Sequence, residues 1–256
     1  MEAPQIRPQV QTIQEVIDQL GTIIDWAYHE KSTVAFFPCL YRRVTIQIAE
    51  GIKAGAFEDN PRMERLDVAF ANRYFEAFSQ YYVGLPTTHA WRIAFEAHDV
   101  SHPLIIQHLV LGINAHINLD LGIAAADMLP GEQIMALEQD FITINEILEK
   151  MTHEIQRDVN RLSPAFRILD GLAGEKDEYL AFFCLKSARE YAWAIAKRFA
   201  YLTEEERTIA FPKVDQQAAE IGEMVLRPPS IVFRLGISLI KLLERRKISR
   251  IIEKLR

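Results

Sequence analysis

Apolar residues recur along this chain at the three- and four-residue spacing of α-helices, and strand-like alternation never runs beyond four residues. Val10, Ile13, Ile17, Leu20, Ile24 and Ala27 form one stripe. Phe37, Leu40, Tyr41, Val44, Ile48 and Ile52 form a second. Pro38 falls in the first turn of that second helix, where no hydrogen bond is lost, and Gly55 follows its end. Asn60-Pro61 caps and opens a third helix over 61–82, which Gly84 and Pro86 stop. Thr87 or Thr88 caps a short helix ending near His98. A central helix is expected over 103–128, a long one over 132–162 and another over 175–202, with a restart at Ser163-Pro164. Thr203-Glu204-Glu205-Glu206 has the form of a capping box for the next helix, in which Pro212 predicts an interruption. Arg227-Pro228-Pro229-Ser230 is the clearest hinge, and one amphipathic helix is expected from there to the end. The pattern predicts an all-α fold: a single bundle of about eight to ten helices over 1–226, with a basic C-terminal helix over 227–256.

The central helix breaks the ordinary rule of one polar face. No Lys, Arg or Glu occurs from Ser101 to Gly131, yet short polar groups are embedded in the apolar run. At about 100° per residue, His108, Gly112, His116 and Asp120 share a broad stripe, which Asp127 extends. Gln107, Asn114 and Asn118 form a second polar stripe roughly opposite. A helix of this composition is buried, so each polar group needs a partner. His116 and Asp120 lie one turn apart and can meet. Three readings follow. The polar groups bond one another and only fix helix register. Or His116 and Asp120 ligate a metal with His108 or a carboxylate such as Asp127 or Asp140. Or His116 is a general base oriented by Asp120.

Composition narrows these options little. The chain is 49% hydrophobic and 25% charged, an ordinary composition that argues against a disordered chain. Cys39 and Cys184 sit in apolar stretches without CxxC spacing and read as reduced core residues of a cytoplasmic protein. The first ten residues lack the basic and apolar regions of a signal peptide. Residues 109–126 come closest to a membrane span, but Asn114, His116, Asn118 and Asp120 interrupt them.

Charge is distributed unevenly. The net charge is −6, but residues 227–256 carry nine Lys and Arg against two Glu, a net +7, which leaves the rest at −13. An acidic body argues against nucleic acid as the main partner. The tail combines Ile231, Leu235, Leu239, Leu242, Ile248, Ile251, Ile252 and Leu255 with many basic residues. Such a helix suits either packing on the body, the expectation for its first half, or peripheral contact with a membrane.

Two arginines stand in apolar helices. Arg73 lies between Phe70 and Phe75, and Arg189 stands near Trp193. Each would hold an anionic group of a ligand, or else be internally paired: Arg73 with Asp120, Asp140 or Glu190, Arg189 by lying over Trp193. His98 and His102 are also four apart, but His102 precedes Pro103 and is expected to leave helical geometry. His29, His89 and His153 have polar neighbours and are expected at the surface.

The segments Phe57-Glu58-Asp59, Met63-Glu64-Arg65-Leu66, Phe70-Ala71-Asn72-Arg73-Tyr74, Trp91-Arg92-Ile93-Ala94-Phe95, Ala188-Arg189-Glu190-Tyr191-Ala192-Trp193 and above all Gly112 to Leu121 resemble a bacterial family of unknown function. That family is marked by an Asn-Ala-His-Ile-Asn-x-Asp-Leu segment, and the resemblance covers about 36–196. It implies an all-helical bacterial protein and supplies no reaction, cofactor or catalytic residue. The functional expectation is therefore an enzyme, a hydrolase or oxygenase, for a small or lipid-like substrate. His116 and Asp120 would be its catalytic centre, Asn114, Asn118, Arg73 and Arg189 its substrate contacts. His108, His116, Asp120 and Asp140 would hold one or two divalent ions such as iron, zinc or manganese. The alternative is a non-catalytic helical binding protein for a hydrophobic ligand.

Overall fold

The structure, a computed structural model, describes residues 4–7, 9–97, 103–148, 151, 185–243 and 247–256. Its elements are α1 (Ile13–His29), α2 (Phe36–Lys53), α3 (Asn60–Tyr82), α4 (His89–Glu96), α5 (Ile105–Asn114), a π-helical segment (Ala115–Leu121) and α6 (Gly122–Met128). A 3-10 segment (Gly131–Leu137) then leads into α7 (138–148), followed by α8 (Leu185–Phe199), α9 (Glu204–Leu226), α10 (Ile231–Leu243) and α11 (Ile248–Leu255). Among the described residues there is no strand. His98, His102, His153, Ser163-Pro164 and Cys184 lie outside the described residues.

Local chemistry accounts for the starts of α1, α3 and α9. Thr12 and Glu15 form a reciprocal capping box on α1, and Thr203 and Glu206 do the same on α9. At α3 the cap is Asp59, not Asn60 as expected: the Asp59 side chain accepts the Arg62 N–H at 2.9 Å, Asn60 is the first helical residue and Pro61 follows in the first turn. The start of α4 departs from expectation. Thr88 occupies the cap position, but its side chain makes no capping bond. The carboxylate of Asp215, on α9, accepts the His89 and Ala90 N–H groups at 2.8 and 2.9 Å instead. A cap supplied from 125 residues away satisfies the same orphan donors and staples α9 to α4.

Two further expectations are corrected. Pro212 lies inside α9 without ending it. It falls in the third turn, so α9 continues past the one ladder bond proline removes. The tail forms two helices, and its end is the part that packs most fully. Ile251, Ile252 and Leu255 of α11 are buried with Ile24, Ala27, Phe36 and Leu40 of α1 and α2. Arg256 pairs with Asp25, and Tyr28 donates to Glu253 at 2.8 Å.

The run from α5 through α6 is the axle of the bundle. It is long and apolar enough to cross a membrane by composition alone, but 83% of its most apolar window is buried by other helices. Two glycines let those helices close on it. A Cβ on Gly112 would stand 2.3 Å from the Phe37 ring of α2, and one on Gly122 would stand 2.6 Å from the Ala192 carbonyl of α8. The π-helical segment lies between these two contacts. π turns are rare, and those that persist tend to sit at functional sites.

Candidate functional site

The two polar stripes of the central helix meet different surroundings. On one side, Gln107 accepts the Leu104 N–H at 2.9 Å and donates to the Val225 carbonyl at 2.7 Å. Asn114 donates to the Ala218 carbonyl at 2.7 Å and accepts from Asn118 at 2.9 Å. Both carbonyls belong to α9, so this stripe fastens α9 to the axle. Asn114 and Asn118, expected as substrate contacts, are occupied in that fastening.

On the other side lies Asp120, buried at 2% exposure. It accepts from Trp91 Nε1 of α4 at 2.7 Å and from Arg73 Nε of α3 at 3.0 Å. Arg73 is thus paired as one of its expected internal partners required, and its Nη1 also stands 3.9 Å from Asp127. Asp127 is half exposed and pairs with Arg207 of α9, so charges of alternating sign run from the surface to Asp120. Both charges of the buried Arg73–Asp120 pair are compensated, as burial demands.

His116 stands one turn before Asp120, with its Nδ1 3.7 Å from Asp120 Oδ2, longer than a hydrogen bond. Aromatic rings enclose it. Phe70 stacks on its face at 3.5 Å, and Tyr41 meets it edge-on at 4.4 Å. Phe37, Trp91 and Tyr74 stand at 5.5, 6.0 and 6.3 Å. Among the described residues neither ring nitrogen of His116 has a hydrogen-bond partner, and the same holds for the Tyr41 and Tyr74 hydroxyls. Burial pushes the His116 pKa below the usual histidine value, partly opposed by Asp120, so the imidazole is neutral near pH 7. Burial, with Asp67 and Asp120 adding to it, also holds the Tyr41 hydroxyl protonated.

Asp67 is a member of this centre that the sequence reading missed. It lies on the buried face of α3 with Met63, Ala71 and Tyr74. Its Oδ2 has no partner among the described residues, and burial raises its pKa to about 7. The signal was present: an acid one turn from Met63 and two turns from Tyr74 occupies a core-facing position of an amphipathic helix.

The remaining candidates lie apart. His108 packs edge-on against Phe36 at 5.7 Å and lines a cavity of about 20 Å³ with Thr33, Phe37, Tyr74, Trp91 and Gly112. That space holds about one water, and the Phe37, Tyr74 and Trp91 rings that bound it also face His116. Asp140 is fully buried elsewhere, accepting from the Glu58 N–H at 2.8 Å and from Arg62 at 2.7 Å, where it ties α7 to the start of α3. Arg189 lies over Phe141 at 5.3 Å, not over Trp193, and donates to Asn145. Burial lowers its pKa to about 10. Of the four expected metal ligands, only His116 and Asp120 face each other. Among the described residues no three His, Cys, Asp or Glu side chains converge as a ligand set.

Fold and site together define an all-helical bundle with a buried His/Asp centre inside aromatic walls. Residues 13–228 match the model of a family described as "Family of unknown function (DUF5995)", and the chain belongs to that family. The match reaches the Arg227-Pro228 hinge, beyond the 36–196 span of the sequence resemblance. No curated protein and no solved structure matches the chain.

Proposed function

We propose that this protein is an enzyme that performs general acid–base chemistry on a small or lipid-like substrate whose reacting end is uncharged, with His116 as the base. The observation that carries this reading is a neutral, fully buried imidazole whose two nitrogens lack partners among the described residues, beside a carboxylate anchored from two other helices. A buried polar atom without a partner costs about 1–3 kcal/mol. Proteins retain such atoms where a ligand or a reaction uses them.

The roles follow from position. Asp120 faces Nδ1, so it would hold the tautomer with the proton on Nδ1 and leave Nε2 free to accept a proton. The 3.7 Å separation is of the kind that tightens when substrate binds. Tyr41, kept protonated by burial, would donate a hydrogen bond to developing negative charge. Arg73 is already neutralised by Asp120 and Asp127, so it offers no free charge to an anionic substrate. A ligand larger than a water that approached from this cavity would have to part the Phe37, Tyr74 and Trp91 layer to reach His116.

The test is turnover of uncharged carboxyl esters, amides and lactones by wild type and His116→Leu, with elemental analysis of the same preparations. Wild type is expected to turn over at least one class, with an acid limb below the ordinary histidine range. His116→Leu should lose about a hundredfold or more. A folded His116→Leu with undiminished turnover would refute the assignment. Stoichiometric iron, zinc or manganese, lost in both His116→Ala and Asp120→Ala, would replace it with a metal centre. Ligand binding without turnover would replace it with the non-catalytic alternative.

A further inference from the structure

Helix α10 is apolar on two faces. Gly236, Ile237 and Ile240 are buried, and the two isoleucines pack with Leu104 and Ile106 beside the start of α5. The opposite face carries Ile231, Leu235 and Leu239, exposed at 66%, 66% and 50%. Their four-residue spacing aligns them in one continuous stripe, and the exposed Arg234 lies beside it. Single exposed leucines are ordinary, whereas an aligned stripe with basic residues alongside marks an interaction surface.

We propose that this face of α10 seats the protein on an anionic membrane surface, lying in the plane of the headgroups with the stripe in the acyl boundary. Charge selects this occupant. The segment 227–256 carries +7 and the rest of the chain −13, so an anionic surface attracts the tail and repels the body. Each basic residue near such a surface strengthens binding several-fold. A second copy is disfavoured, because pairing α10 with α10 about a twofold axis brings two +7 tails together. The geometry is already held. α11 is clamped to α1 and α2 through Ile251, Ile252 and Leu255, so α10 is tethered at both ends to the body. The apolar axle helix is mostly buried within the bundle, so the contact is peripheral.

The experiment is co-sedimentation of the full chain with phosphatidylcholine vesicles and with phosphatidylcholine–phosphatidylglycerol vesicles, at low and high salt. Leu235→Glu/Leu239→Glu and Arg234→Glu are run alongside, with size-exclusion chromatography. All three positions are exposed, so melting temperatures should match wild type. Wild type is expected to pellet with phosphatidylglycerol-containing vesicles only, less so in high salt. The double substitution should weaken partition roughly tenfold or more, and Arg234→Glu by less. His116→Leu should bind vesicles as wild type does, which separates this proposal from the catalytic one. Absence of vesicle binding, or undiminished binding by the double variant, would overturn it. So would a wild-type dimer that the double substitution splits, since a second copy would then own the face.

Discussion

The two polar stripes of the central helix share one backbone and similar burial, yet among the described residues only one is saturated. Gln107, Asn114 and Asn118 find carbonyls or one another and hold α9 in register. Opposite them, Asp120 is bound to Arg73 and Trp91, but among the described residues the two ring nitrogens of His116 have no partner within their enclosure of five aromatic rings. Satisfied buried polar groups specify architecture, and they cost stability when one member is removed. Unsatisfied ones cost stability while they remain, so they mark the place where something other than folding sets the residue.

The largest expected effect tests whether the Asp120 side is also architectural. Asp120→Ala strands the partly buried Arg73 and the Trp91 N–H, and should cost about 3–5 kcal/mol in denaturant unfolding. A loss under about 1 kcal/mol would mean that solvent already shares the site. Asn114→Ala leaves the Ala218 carbonyl and the Asn118 amide unpaired and should cost about 1–3 kcal/mol. It should leave His116-dependent turnover intact once folded, and a selective loss of turnover would dissolve the contrast between the stripes.

Asp67 adds a pH arm. Its folded pKa of about 7 lies above the ordinary carboxylate value of 3.8, so the folded state holds the proton more tightly. Stability from this group is complete below the unfolded value and is lost as pH rises through about 7. Asp67→Asn should therefore raise stability by on the order of 1–2 kcal/mol at about pH 8 and give no gain under acid conditions. His116 acts in the opposite direction. Its lowered pKa leaves its contribution intact above the usual 6.5, and the contribution is lost as pH falls towards the folded value. The smallest shift is His116→Leu, expected to be neutral or to stabilise by up to about 1 kcal/mol, because it removes unpaired atoms from an aromatic enclosure. A loss of more than about 2 kcal/mol on thermal unfolding would show that the histidine has partners and belongs with the asparagines.

Periodicity and capping residues made the helices legible, because a core-facing stripe and an N-cap are local properties. α3 over Asn60–Tyr82 and the Thr203 capping box of α9 are the clearest cases. The absence of Lys, Arg and Glu across the central helix announced its burial, and the spacing of His116 and Asp120 announced their meeting. What remained hidden depends on groups distant in the chain. Asp215 caps α4 across more than a hundred residues, Trp91 and Arg73 converge on Asp120 from two other helices, and Asp140 is spent on Arg62. The π-helical turns also shift every residue after Ala115 away from the angle a regular helix assigns, which helps to leave Asp127 at the surface with Arg207. The tail divides in the same way. Its amphipathic composition is written in its residues, but only packing on α1 and α2 decided that α11 would be covered and that the stripe on α10 would face outward. Local sequence determined which segments are helical and which faces are apolar, since both follow from side chains within one turn. Tertiary structure decided which buried polar atoms are paired, because each pairing needs a partner that only the assembled bundle brings within reach.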